Sequence, residues 1–72
     1  MKEQEAKQIV SQLLEQSNRS EIVIKSISIP TDKIISAIVS YVWYLNGHRK
    51  EVKQTSATAY KDESQNWKLL GI

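Results

Sequence analysis

The chain has 72 residues, of which 40% are hydrophobic and 25% charged, and its formal net charge is +2. This balance is typical of a globular domain and not of a disordered chain, and it gives no strong nucleic-acid signature. The sequence has no cysteine and a single histidine, His48, which excludes disulfides, thiolate zinc sites and histidine metal clusters. We therefore expect one domain over residues 1–72, without a metal or cofactor.

The N-terminal residues and the longest apolar run indicate where in the cell we expect the protein to be located. The first residues, MKEQEAKQIV, lack the apolar stretch of a signal peptide, so we expect them to belong to the mature fold. The longest apolar run, residues 34–45, includes two serines and has 12 residues, whereas a membrane helix needs about 20. The sequence predicts a cytoplasmic protein without membrane contact.

Residues 2–17 are predicted to form an amphipathic helix. Apolar side chains recur three and four positions apart, at Ala6, Ile9, Val10, Leu13 and Leu14. Lys, Glu, Gln and Ser occupy the other positions, and Ser17-Asn18 is a suitable end. Such a helix covers a surface with its apolar stripe and faces water with the remainder.

Four strands are predicted after the helix. Residues 21–29, EIVIKSISI, are rich in Ile and Val and end at Pro30. Residues 34–45 allow two interpretations, because Thr31 or Asp32 could cap a helix there and Gly47 could end it. We favour a strand, since Asn46-Gly47 is a strong hairpin signal and residues 48–60 form a partner of similar length. Residues 66–72 give the last strand.

The predicted fold class is α+β, with the N-terminal helix packed on a four-stranded antiparallel meander in the order α-β-β-β-β. A two-residue loop at Asn46-Gly47 sets the register of the central hairpin, so that Trp43 lies opposite Lys50 and Ala37 opposite Ser56. Side chains alternate between the two faces of a strand. One face of the sheet is then aromatic and aliphatic, and the other has smaller residues, among them Ala57 and Ala59.

The smaller face is the one that we expect the helix to cover, because serine and alanine allow a close approach. The aromatic face would then be uncovered, and large exposed apolar patches are unusual on monomers. We predict that it contacts another protein, most simply a second copy in a homodimer. The residues of this predicted interaction face are Tyr41, Trp43, Leu45, Val52, Tyr60 and Trp67. Two alternatives are that sheet curvature closes the face, or that the helix covers it, which weakens the case for a dimer.

No catalytic constellation is found in the sequence. His48 follows a tight turn and has neither an orienting partner nor a nucleophile at a recognisable spacing. The alternative to a protein-interaction module is single-stranded nucleic-acid binding, in which aromatic side chains stack on bases and Arg49, Lys50 and Lys53 contact phosphates. In the predicted register Arg49 and Lys53 point away from Trp43, which argues against it. A third possibility is a small-ligand pocket between sheet and helix, lined by Tyr44.

The second half of the chain, VWYLNGHRKEVKQTSATAYKDESQNWKLLGI, resembles the closing strands of cystatin-like and nuclear-transport-factor-2-like folds, with residues 67–70 at the start of the last strand. The resemblance implies a helix on a curved antiparallel sheet, often dimeric. Cystatins insert a Gln-x-Val-x-Gly hairpin into protease clefts, whereas this hairpin reads Tyr-Leu-Asn-Gly-His, so protease inhibition is not implied. The transport-factor-like folds have further N-terminal helices around a pocket, and only one is predicted here.

Overall fold

A computed structural model describes residues 1–70 of the chain. Its elements are α1 (Glu3–Gln16), β1 (Ser20–Thr31), β2 (Ile34–Leu45), β3 (His48–Lys61) and β4 (Trp67–Leu70). The strands form one antiparallel sheet in the order β1-β2-β3-β4, with α1 packed on it. The predicted α+β meander is confirmed, and residues 34–45 are a strand. The final two residues of the predicted last strand lie outside the described residues.

Helix α1 begins with two acidic residues and ends at a left-handed residue. Glu3 and Glu5 occupy the first turn, where the helix dipole favours negative charge. After the last turn, Asn18 has a φ of 64°, and the Arg19 amide donates a hydrogen bond of 3.1 Å to the carbonyl oxygen of Leu14. This left-handed ending reverses the chain directly into β1.

The central hairpin has the predicted tight turn. Asn46 and Gly47 have φ values of 53° and 80°, as the two loop residues of a type I′ turn require. Leu45 pairs with His48, and Trp43 pairs with Lys50. The predicted register is therefore confirmed next to the turn.

Farther from the turn, a β-bulge changes the register of the hairpin. Lys53 and Gln54 together lie opposite Ser40, so β3 has one extra residue between the pairs formed by Tyr41 and Val39. Beyond this point Ala37 pairs with Ala57, and the predicted pairing with Ser56 is wrong. A shift of one residue moves each later side chain of β3 to the other face of the sheet.

The bulge decides which face α1 covers. It brings Ala57 and Ala59 to the face of Ile35 and Val39, and α1 packs on that face. The expectation that α1 covers the face of Ile34 and Ser36 was wrong. Ala57 and Ala59 permit the close approach of a helix, and the bulge places them on the face opposite to the one that an uninterrupted register predicts. The buried core consists of Ala6, Val10, Leu14, Ile35, Ala37, Val39, Tyr41, Ala57 and Ala59.

The loop between β3 and β4 is organised by one carboxylate. Asp62 Oδ1 accepts hydrogen bonds of 2.9 Å from the backbone amides of Ser64 and of Asn66, and Lys68 Nζ lies 3.2 Å from Asp62 Oδ2. The Asn66 amide, the Lys68 ammonium and the Ser64 amide hold the pKa of Asp62 below its usual range. Asp62 therefore has a structural role in this loop.

Candidate interaction surfaces

The predicted interaction face lies mostly under or beside α1. Tyr41 is only 6% exposed, and Trp43, Val52 and Trp67 are half-buried and pack against the core. Leu45 is exposed beside the hairpin turn. Core packing therefore accounts for Tyr41, Trp43 and Trp67, and the expectation that the face is uncovered was wrong.

Tyr60 is separated from the other five residues. It pairs with Ile34, on the face opposite α1, whereas it was predicted to lie on the same face as Trp67. Trp67 pairs instead with Lys61. The bulge in β3 accounts for the change of face at Tyr60, since it reverses the orientation of every residue between Thr55 and the end of the strand.

Two cations cover aromatic rings at the ends of the core. The Arg19 guanidinium carbon lies 5.0 Å from the centre of the Tyr41 ring, and Lys61 Nζ lies 5.7 Å from that of Trp67. Both distances are typical of cation–π contacts. Arg19 and Tyr41 are far apart in the sequence, so no local pattern predicts their contact, whereas Lys61 and Trp67 face each other across the β3–β4 hairpin.

The opposite face of the sheet, which we call the open face, has no element packed on it within residues 1–70. It carries the even-numbered side chains of β2 and their neighbours. Its members are Val23, Ser26, Ser28, Ile34, Ser36, Ile38, Ser40, Val42, Tyr44, Arg49, Glu51, Ser56, Thr58, Tyr60, Lys68 and Leu70. Val23, Ile34, Tyr44 and Leu70 are four of the six large exposed hydrophobic residues of the described chain, with Tyr44 59% and Leu70 61% exposed. This face combines apolar side chains with a central group of hydroxyls.

Small side chains form a shallow depression in the middle of the open face. Its volume is about 180 Å³, and it is lined by Ser26, Ser28, Ser36, Ala37, Ile38, Ser56 and Thr58. Three neighbouring strands contribute these residues, and the serine and threonine side chains do not fill the space above the backbone. The depression can accept larger side chains from a surface that packs on it.

A charged cluster crosses one end of the open face. Arg49 Nη2 on β3 lies 3.2 Å from Glu21 Oε2 on β1, and Arg49 Nη1 lies 3.7 Å from Glu51 Oε2. The hydrogen bond with Glu21 and the two negative charges raise the pKa of Arg49 above its ordinary value. Val42 lies on β2, the strand between β1 and β3, and it is buried although α1 packs on the other face. The guanidinium is thus engaged within the chain.

The three predicted nucleic-acid contacts do not share a surface. Arg49 is on the open face, and Lys50 pairs with Trp43 on the side of α1. Lys53 lies in the bulge, where its carbonyl oxygen accepts a hydrogen bond of 2.8 Å from Lys25 Nζ. The alternation of the strand and the bulge therefore disperse the cations that are adjacent in sequence.

Tyr44 does not line a pocket with α1, because it is exposed on the open face. His48 is exposed beside the hairpin turn. Among residues 1–70, no group of three or more His, Cys, Asp or Glu side chains is arranged to bind a metal ion. The described part of the chain has no helix with the length and apolar character needed to span a membrane.

Comparisons with protein-family models, with curated proteins and with solved structures found no match for this chain. The resemblance to cystatin-like and transport-factor-like folds is thus supported only as an architecture. The fold and its surfaces define a small α+β protein with one N-terminal helix on a four-stranded antiparallel sheet and one open sheet face.

Proposed function

We propose that this protein is a small non-enzymatic interaction module that self-associates through the open face of its sheet. The observation that carries the proposal is the one-sided covering of the sheet, since α1 packs on one face and the other keeps exposed apolar residues around a central group of hydroxyls. Exposed apolar patches of this kind mark contact surfaces in soluble proteins. Short chains also bury a smaller fraction of their surface than longer ones and gain stability by association.

The open face spans the four strands of the sheet, in a molecule whose two larger dimensions are 37 and 24 Å. A typical interface buries about 800 Å² on each partner, so an interface of ordinary size would use most of this face. The partner that the proposal names is a second copy, because a twofold contact brings the same mixture of apolar and hydroxyl groups together from both sides.

Substitution of Ile34 by aspartate is expected to weaken self-association by at least about tenfold, because a carboxylate at the interface would be desolvated without a partner. Ile34 is exposed, so the substitution removes little of the core. Sedimentation equilibrium over a range of protein concentrations measures the association constant. Gln8→Asp, on the exposed side of α1, is the matched control and is expected to leave association unchanged.

Circular dichroism of both variants checks that the helix and sheet are intact. A wild-type chain that sediments as a monomer at every concentration would contradict the proposal, as would a folded Ile34→Asp variant that associates as strongly as the wild type.

Single-stranded nucleic-acid binding is the alternative function, and the dispersal of its cations weighs against it. Arg49 pairs with two carboxylates, and Lys50 lies on the other side of the sheet. We expect no saturable binding of a fluorescently labelled single-stranded oligonucleotide in low-salt buffer, measured by anisotropy. Binding that falls steeply with salt and is weakened by Arg49→Glu would instead establish the alternative.

A further inference from the structure

Strand β1 forms one edge of the sheet along its whole length of 12 residues, because its neighbour in the sheet is β2 alone. The opposite edge is different. Within residues 1–70, strand β4 has four residues and pairs only with the end of β3. The part of β3 that it leaves unpaired carries Arg49, Lys50, Glu51 and Lys53, and charged side chains of this kind protect an edge from pairing with other strands. Strand β1 has two charged residues, Glu21 and Lys25.

Three irregularities divide β1. The register against β2 shifts between Ser20 and Val23, between Ile24 and Ser26, and between Ser28 and Thr31. Glu21, which has a φ of 50°, lies within the first of them. Ile22 and Ile24 pack against the core on the side of α1, and both remain half-buried. Val23 points to the open face and is 53% exposed.

Residues 20–26, which span the first two irregularities, read Ser-Glu-Ile-Val-Ile-Lys-Ser. This order is self-complementary about Val23 when one copy runs antiparallel to the other. Ser20 then faces Ser26 of the second copy, and Ile22 faces its Ile24. Glu21 faces Lys25 of the second copy, and the twofold axis repeats this pair with the charges exchanged. Opposite charges in facing positions stabilise an antiparallel pair, whereas like charges destabilise it.

We propose that β1 pairs with β1 of a second copy, antiparallel and centred on Val23, to form one continuous eight-stranded sheet. The contact satisfies outward-facing backbone groups of the edge and covers Val23, and it buries the exposed sides of Ile22 and Ile24 against the same residues of the other copy. The inference rests on the proposed self-association and specifies a contact separate from the open face. A chain that uses both contacts forms assemblies larger than a dimer.

Charge exchange tests the facing positions. Glu21→Lys gives a chain with lysine at both positions, and Lys25→Glu gives one with glutamate at both, so each variant alone is expected to associate about tenfold more weakly or worse. An equimolar mixture of the two variants is expected to recover association as a heterodimer, measured by sedimentation or by native mass spectrometry. Loss of the Glu21–Arg49 ion pair within the chain cannot produce this recovery, since the mixture does not restore it.

A single introduced cysteine tests the register. Facing residues of antiparallel strands have Cα atoms about 4.5–5.5 Å apart, which is within the range of a disulfide. Val23→Cys is therefore expected to form a disulfide-linked dimer in oxidising buffer, and the natural chain has no cysteine to compete. Ser28→Cys is the matched control, because it is exposed on the same strand and face. It would be about 33 Å from its counterpart at 3.3 Å per residue.

The two contacts can be distinguished by their variants. The β1 contact is supported if the mixture of charge variants recovers association and if Val23→Cys, but not Ser28→Cys, rapidly forms a disulfide-linked dimer. This result would stand even if Ile34→Asp had no effect on association and the open-face proposal failed. Equal association of both charge variants and the wild type, or equal linkage of the two cysteine variants, overturns the β1 contact. In that case loss of association in Ile34→Asp leaves the open-face proposal standing.

Discussion

Replacement of Leu14 by alanine is expected to lower the free energy of unfolding by about 2–5 kcal/mol, the range for removing a large aliphatic side chain from a packed core. Leu14 is among the largest fully buried side chains of the described chain, and it joins α1 to the sheet. A domain of this size has little stability in reserve, so much of the population is expected to unfold. Urea denaturation followed by circular dichroism measures the change.

Gln12→Ala provides the control for this substitution, because Gln12 is exposed on the same helix. Alanine is favourable in helices, so the control is expected to change stability by less than about 0.5 kcal/mol. A Leu14→Ala variant as stable as the control would contradict the packing of α1 on the sheet.

Replacement of Ala57 by leucine is expected to destabilise the fold by about 1–3 kcal/mol, because the added atoms must enter a filled space between α1 and the sheet. Ala57 is buried and pairs with Ala37, which is also buried. Thermal or urea unfolding of the variant measures the loss.

The neighbouring substitution Ser56→Leu reports the other face of the same strand. Ser56 is exposed and lies at the depression in the open face, so a leucine there is expected to change stability by less than about 0.5 kcal/mol. With α1 on the face of Ile35 and Val39, an uninterrupted hairpin register would place Ser56 beneath the helix, and Ser56→Leu would then be the more damaging. The pair of variants therefore tests the bulge at Lys53 and Gln54 together with the face that α1 covers.

The elements of this fold were predictable because each has a local signal. The apolar stripe from Ala6 to Leu14 repeats with the period of a helix, and α1 forms there. Asn46-Gly47 supplies the positive φ angles of a tight turn, and β2 and β3 pair from that turn outward. The alternation of side chains along each strand, counted from the turn, correctly predicted that Arg49 and Trp43 lie on opposite faces of the sheet.

The candidate sites were less predictable because they depend on contacts between distant parts of the chain. Arg49 pairs with Glu21 across 28 positions, and no motif marks that partner. Tyr41 was predicted to lie at an interface, yet its side chain is buried and the Arg19 guanidinium lies over its ring. The self-complementary order about Val23 is visible in the sequence, but its meaning depends on β1 being an edge strand with a shift of register on either side.

The sequence by itself determined the helix, the four strands, their meander order and the turn of the central hairpin, since these follow from periodicity and turn chemistry within short windows. Only the tertiary structure decided which face of the sheet is buried. One extra residue in β3 opposite Ser40 reverses the alternation and brings Ala57 and Ala59 beneath α1. A bulge forms where packing on both sides of the sheet is best satisfied, and that balance involves the whole molecule.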